Sequence, residues 1–157
     1  NQKAALITER AEGGNPDKKI KIDFKPIGEL GGIYGNPLHF WSIFNNMITN
    51  SIKALKSVER EEHKITIKAY KDSASTWLVM EFTDNGKGIS DEHIDNIYRP
   101  FYTSYLDSHY RGMGMGLPIV KDIVEIDYDG TIEVGQPNAD GKGSTTFFIK
   151  LSLKELK

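Results

Sequence analysis

The chain has 157 residues, the length of one ordinary domain, and its 38% apolar and 27% charged residues, with 15 Gly and 6 Pro, suit a packed globular fold and exclude a disordered or fibrous one. Its 20 Lys and Arg against 22 Asp and Glu leave a net charge of -2, so the positive field that gathers nucleic-acid phosphates is absent and no nucleic acid is expected as partner. With no Cys, disulfides, thiolate metal sites and cysteine nucleophiles are excluded. No apolar run approaches the ~20 residues of a membrane helix, so a cytoplasmic domain without membrane contact or export signal is expected.

In chain order, residues 1–15 are expected to be the remnant of a preceding helical linker, with a short helical stub over Ala4 to Arg10, and 16–157 the domain itself. Ile20, Ile22 and Phe24 alternate with Lys21 and Asp23, the period of a half-buried strand. After the Gly31-Gly32 and Gly35-Asn36-Pro37 breakers, Leu38 to Ser57 reads as one long helix, with Asn36 as N-cap and Pro37 in its first turn. Phe40, Phe44, Met47, Ile48 and Leu55 give that helix its apolar face. A charged linker, Glu59 to His63, leads to two strands, around Ile65 to Ala69 and Trp77 to Thr83, that form a hairpin. Ser90 with Asp91 and Glu92 starts a short helix through Ile94 and Ile97 that ends near Arg99-Pro100. Phe101 to Gly116 has no periodicity and is a long loop. Leu117 to Ile126 returns to helical spacing, and Thr131 to Val134 and Thr145 to Leu153 are strands around a Gly135 to Gly143 turn. Strands and helices that do not strictly alternate argue for an α+β layered fold.

Three segments carry chemistry. On the long helix, Asn46, Asn50 and Lys53 lie at i, i+4 and i+7, one polar line beside the apolar face. An amide oxygen is a hard neutral ligand that suits Mg2+, which keeps few protein ligands and completes its shell with water and phosphate oxygens. The same stripe also suits a solvated helix face, and by itself it does not choose. Asp84-Asn85-Gly86-Lys87-Gly88-Ile89 follows a strand end. A plain turn explains the Asn-Gly pair. Alternatively, a carboxylate followed by glycines makes a slot for a flat ring, with Asp84 accepting from an exocyclic amine such as that of adenine. The acids of an EF-hand are missing. In Arg111-Gly112-Met113-Gly114-Met115-Gly116-Leu117-Pro118, alternating glycines run into a helix and present backbone N–H groups to an anion, or else form a hinge that binds nothing. A GxGxG spacing after an aperiodic loop disfavours a dinucleotide fold, and Gly141-Lys142 followed by Gly143 excludes a P-loop.

Taken in order, these segments resemble the GHKL nucleotide-binding superfamily, most closely the catalytic ATP-binding (HATPase_c) domain of bacterial sensor histidine kinases. Asn46 to Ala54 (NMITNSIKA) is similar to its N box, Asp84 to Ile89 to its G1 box and Arg99 to Ser104 (RPFYTS) to its F box. Gly112 to Leu117 (GMGMGL) is similar to the G2 box, and Gly141 to Thr145 (GKGST) to the last glycine motif. The resemblance implies the Bergerat fold, a two-layer α/β sandwich with helices on one face of a mixed sheet, binding ATP and Mg2+. It implies Asn50 as the metal ligand, Asn46 and Lys53 as the catalytic residues on the phosphate side, and Ala54 beside them. It places Asp84 at the adenine amine, with Gly86, Gly88 and Ile89 shaping the ring slot and Thr145 supporting that end. Phe101 would anchor a lid running to Gly116, in which Gly112, Met113, Gly114, Met115 and Gly116, with Leu117, cover the phosphates. Family lids often carry a Lys just after the F box. Tyr105 stands there in this sequence, and Arg111 is expected to replace that lysine.

In the gyrase, mismatch-repair and heat-shock chaperone relatives, a Glu one turn before the Mg2+-binding Asn activates the attacking water. That place is Asn46 here, which cannot accept a proton as a general base, so transfer to a histidine is expected over hydrolysis. His39, His63, His93 and His109 lack the context of a kinase phosphoacceptor and read as ordinary surface or structural histidines. The resemblance therefore implies a protein-histidine kinase catalytic domain in a two-component system. Its partners would be a dimerisation and phosphoacceptor domain outside this chain and a downstream response regulator. The alternatives are a serine kinase of the anti-sigma type and an ATP-dependent binding switch.

Overall fold

The computed structural model describes residues 19–31, 35–104, 112–135 and 143–153; the expected linker remnant at 1–15 lies outside them. Five strands form one mixed sheet: β1 (Ile20–Pro26), β2 (His63–Lys71), β3 (Trp77–Asp84), β4 (Thr131–Gly135) and β5 (Thr145–Ser152), in the order β1-β2-β3-β5-β4. β1 runs parallel to β2 and every other pair is antiparallel. A parallel neighbour requires a crossover, and α1 (Pro37–Lys56) supplies it. The hairpin expected between β2 and β3 is present, closed by Asp72, whose Oδ1 accepts from the N–H groups of Thr76 (2.7 Å) and Trp77 (2.8 Å).

Strand alternation decides which face is covered. Ile65 and Ile67, Leu78, Met80 and Phe82, and Phe147, Ile149 and Leu151 are buried on one face. α1 lays Ile43, Met47 and Leu55 on that face, and Val120 and Val124 from a second helical segment complete the core. The result is the α+β two-layer sandwich that the sequence implies. Burying each large side chain here stabilises the fold by about 1.5–3 kcal/mol, and truncating Ile149 to Ala costs about 2–5 kcal/mol.

α1 starts and stops on local signals. Asn36 Oδ1 accepts from the Leu38 N–H (2.9 Å), Pro37 occupies the first turn, and the Ser57 hydroxyl donates to the Ala54 carbonyl (2.8 Å) at the far end. Other elements depart from expectation. α2 covers Asp91–Ile94 alone, and the Ser90 side chain makes no capping bond. The rest, through Ile97, is tight turn, with Asn96 N–H to His93 O and Arg99 N–H to Asn96 O, both 2.9 Å, because Pro100 disfavours helix at the residue before it. α3 (Gly116–Asp122) passes into a π-helical turn, Ile123–Asp127, rather than staying α-helical to Ile126. His63, expected in a charged linker, is the first residue of β2 and is buried, its Nε2 lying 3.3 Å from the Val58 carbonyl.

α1 and the α3 segment run antiparallel. Tyr128, just after the π turn, accepts from the Asn36 N–H (3.1 Å) at the start of α1, while Gly116 lies beside Asn46 and Asn50 in its middle. That packing brings the glycine-rich stretch to the polar stripe.

Candidate functional site

A cavity of about 530 Å³ opens between α1, the end of β3, α2, residues 102–104 and the Gly112 to Gly116 stretch. The helical stripe forms one wall, and Asn46, Asn50, Lys53 and Ala54 all line it. The Asn46 amide is oriented by Ser42, since its Nδ2 donates to the Ser42 carbonyl (2.9 Å) and hydroxyl (3.3 Å). Its Oδ1 is left facing Gly116, where a Cβ would come within 3.0 Å of it. Lys53 reaches across to the far stem of the loop, for a Cβ on Gly112 would meet its Nζ at 2.5 Å. Glycine at both positions lets the loop lie directly on the polar stripe.

The opposite end is built around Asp84, only 4% exposed. Its Oδ1 accepts from the Gly86 N–H (2.9 Å) and its Oδ2 from the Ser51 hydroxyl (3.0 Å). Burial pushes its pKa up to about 6, against the lowering effect of those two hydrogen bonds. Thr145 pairs with Asp84 across β3 and β5, and with Gly88 and Ile89 it lines this end of the cavity. Gly86 does not line the cavity. It stands one layer back, where its missing Cβ admits the Ala54 main chain (2.7 Å), so it shapes the slot from behind. Gly143 is packed as closely, a Cβ there meeting the Lys87 and Gly86 carbonyl oxygens at 2.6 and 2.7 Å. Arg60 Nη2 donates to the Gly143 carbonyl (2.9 Å) and more weakly to that of Gly86 (3.4 Å), joining the two turns.

The glycine segment contributes Gly112, Met113, Gly114, Met115 and Gly116, with Leu117, to the cavity. Gly114 has φ +68, and a Cβ there would clash with the Phe101 and Tyr102 backbone at 2.5 Å. Phe101, expected to anchor the lid, meets the glycine stretch through its main chain. Its N–H donates to the Gly114 carbonyl (3.1 Å), so its main chain does fasten the two stems of the loop, but its ring is 75% exposed and lines no part of the cavity. Its φ of +65 turns the side chain outward beside Met113. Arg111, Tyr105 and His109 lie outside the described residues.

Sequence reasoning missed several residues. Ser51 follows Asn50 in the chain, yet its contact with Asp84 depends on how α1 packs on β3. Arg60 gave no signal beyond its charge. His93, expected to be an ordinary surface or structural histidine, lines the cavity with its Nδ1 2.6 Å from the Tyr102 hydroxyl. Of the other histidines described, His39 lies 3.6 Å from the Asp127 carboxylate.

Among the described residues, no group of three or more His, Asp or Glu is placed to hold a metal. The polar stripe instead offers neutral amide oxygens, a donor set that suits Mg2+, which accepts one or two protein ligands with water and phosphate for the rest.

The sequence model for histidine kinase-, DNA gyrase B- and HSP90-like ATPases matches residues 35–155. The chain belongs to that family. ATP is accordingly the substrate of this HATPase_c domain. The C4-dicarboxylate transport sensor protein DctB of Rhizobium meliloti is 31% identical over 147 residues, covering 94% of this chain and 21% of its own length. The sensor histidine kinase ZraS of Escherichia coli is 29% identical over 145 residues, 92% of this chain and 28% of its own length. The chain thus spans between 21% and 28% of the length of these two relatives. In structure it is similar to the mycobacterial sensor histidine kinase MprB, with a TM-score of 0.69 at 21% identity over 85% of this chain and 83% of that one, a likeness of fold. No helix among the described residues is long and apolar enough to cross a membrane.

Proposed function

We propose that this chain is the catalytic ATP-binding domain of a two-component sensor histidine kinase, transferring the γ-phosphoryl of ATP·Mg2+ to a histidine on a dimerisation domain outside the chain. The observation that carries the proposal is that Asn50 and Asp84, from a helix and a strand end, line one cavity together with the Gly112 to Gly116 stretch. Asp84 accepts from the adenine amine, with Gly88, Ile89 and Thr145 around the ring. Asn50 holds Mg2+, Asn46 and Lys53 face the polyphosphate, and the glycine amides lie over it. Mg2+ held at Asn50 would supply positive charge to the polyphosphate.

Among the described cavity residues the only carboxylate is Asp84, and it is committed to Ser51 and Gly86 at the adenine end. Among the described residues, no carboxylate of the cavity is therefore available to deprotonate water near Asn46. An imidazole needs less such help, which favours phosphoryl transfer to protein, with positioning and charge neutralisation supplying most of the catalysis. The relatives DctB and ZraS, named as sensor proteins, support the same reading. The domain acts on the cytoplasmic side, and a response regulator takes the phosphoryl group onward.

The test is phosphotransfer from γ-labelled ATP. The chain alone binds ATP and takes up no label. Mixed with the dimerisation domain of its parent protein, it labels that domain in an acid-labile form. Acid-stable label would mean a serine acceptor, and label on the isolated chain would misplace the acceptor; either overturns the proposal.

A further inference from the structure

His93 and Tyr102 stand on the cavity wall without a role in the reaction as described. His93 belongs to α2, and Tyr102 follows Phe101 at the near stem of the loop. The imidazole Nδ1 and the phenol oxygen are 2.6 Å apart, with the two rings tilted and their centres 6.0 Å apart. This is a short contact between elements that share no regular secondary structure. It joins α2 to the loop stem.

What Tyr102 carries makes that link consequential. Its main chain is the floor on which Gly114 rests, since a Cβ on Gly114 would come within 2.5 Å of the Tyr102 carbonyl oxygen and 2.7 Å of its nitrogen. The preceding residue, Phe101, has φ +65, a conformation that a bulky side chain adopts only when its surroundings impose it. Three hydrogen bonds impose it here: Phe101 N–H to Gly114 O (3.1 Å), Tyr102 N–H to Arg99 O (3.2 Å) and the Tyr102 hydroxyl with His93. From Gly114 the path divides to Gly112, against Lys53 Nζ, and to Gly116, against Asn46 Oδ1.

We infer that His93 is a positioning residue for the polyphosphate: by holding Tyr102, it sets where the Gly112 to Gly116 amides lie relative to Asn46 and Lys53. The inference rests on ATP occupying this cavity in the orientation proposed above. Its action reaches the phosphate end, while the slot around Asp84 rests on other contacts, namely those of Ser51 and Arg60.

Calorimetric titration of this chain with ATP and with AMP tests it, using the unaltered protein, His93→Ala, His93→Gln, Tyr102→Phe and the double variant His93→Ala/Tyr102→Phe. Loss of one hydrogen bond is expected to weaken ATP by about fivefold to tenfold in His93→Ala and in Tyr102→Phe alike. AMP, which lacks the β- and γ-phosphates, should change by less than about twofold. His93→Gln, which keeps a polar partner for the phenol, should recover most of the ATP affinity, and the double variant should be no weaker than either single one. Equal weakening of ATP and AMP, or unchanged ATP binding in Tyr102→Phe, overturns the inference alone. Failure of the unaltered protein to bind ATP overturns the proposed function along with it.

Discussion

At the Asp84 end of the cavity, backbone packs directly on backbone: Gly86 against Ala54, Gly143 against Lys87, and one guanidinium across both turns. At the Gly112 to Gly116 end, the contacts run between a loop and the tips of long side chains, Lys53 and Asn46, and the neighbouring Phe101 and Met113 are 75% and 80% exposed. The first end is anchored in the sheet and has a fixed shape. The second is assembled from side chains and glycine amides. A flat ring with one amine to satisfy requires a rigid slot, whereas a polyphosphate that must be taken up, cleaved and released is better met by groups that adjust.

The largest break in this comparison should come from Asp84→Ala. Removing the carboxylate proposed to meet the adenine amine is expected to weaken ATP by about 10- to 100-fold, equally with and without Mg2+, by calorimetric titration. Asn50→Ala should act on the other end only. It is expected to erase the increment that Mg2+ adds to ATP affinity, about tenfold, and to leave metal-free binding unchanged. If both variants lost the same Mg2+-dependent share, the two ends would not be separate.

A pH series sharpens the difference further. Burial holds the Asp84 pKa at about 6, above its ordinary value of 3.8, so the folded protein binds this proton more tightly than the unfolded chain does. Its contribution to stability therefore rises as pH falls from about 6 towards about 4, while the ionised form proposed to accept from adenine is lost in the same range. Thermal melts and ATP titrations between pH 5 and 8 should move in opposite directions for the unaltered protein on the order of these shifts. Asp84→Asn should flatten both trends apart from the ionisation of ATP itself, and should raise the melting temperature at pH 7.5 while weakening ATP.

The smallest effect is expected at Tyr98, near neither end. Its buried hydroxyl has no hydrogen-bond partner among the described residues, and burial with the nearby Glu125 and Glu133 charges pushes its pKa up to about 12. Tyr98→Phe removes the unpaired group and should stabilise the fold by about 1 kcal/mol, read as a rise of about 2–4 °C in Tm with ATP affinity unchanged.

How much of this was legible depended on the reach of each interaction. Asn46, Asn50 and Lys53 could be aligned from the sequence because helix geometry alone puts them on one line. Asp84 could be marked because a strand end followed by glycines is a local pattern, and the α+β class followed from local periodicities of the same kind, while the two-layer sandwich came from the resemblance of the motifs in order. Ser51, Arg60 and His93 could not, because each finds its partner across 9 to 83 residues of sequence, at distances set by packing. The direction of the Phe101 ring was hidden for a different reason. It follows from a left-handed backbone angle that no side-chain pattern announces and that the hydrogen bonds around Phe101 and Tyr102 enforce.

The hydrogen bond from Ser51 to Asp84 ties the residue after Asn50 to the strand end 33 positions later. With ATP bound as proposed, this contact lies between the purine slot and the helix turn that carries Asn50. Thermodynamic reciprocity then sets a strict rule: by whatever factor an occupied purine slot tightens or loosens the grip on the cation, the cation must alter the grip on the purine by the same factor.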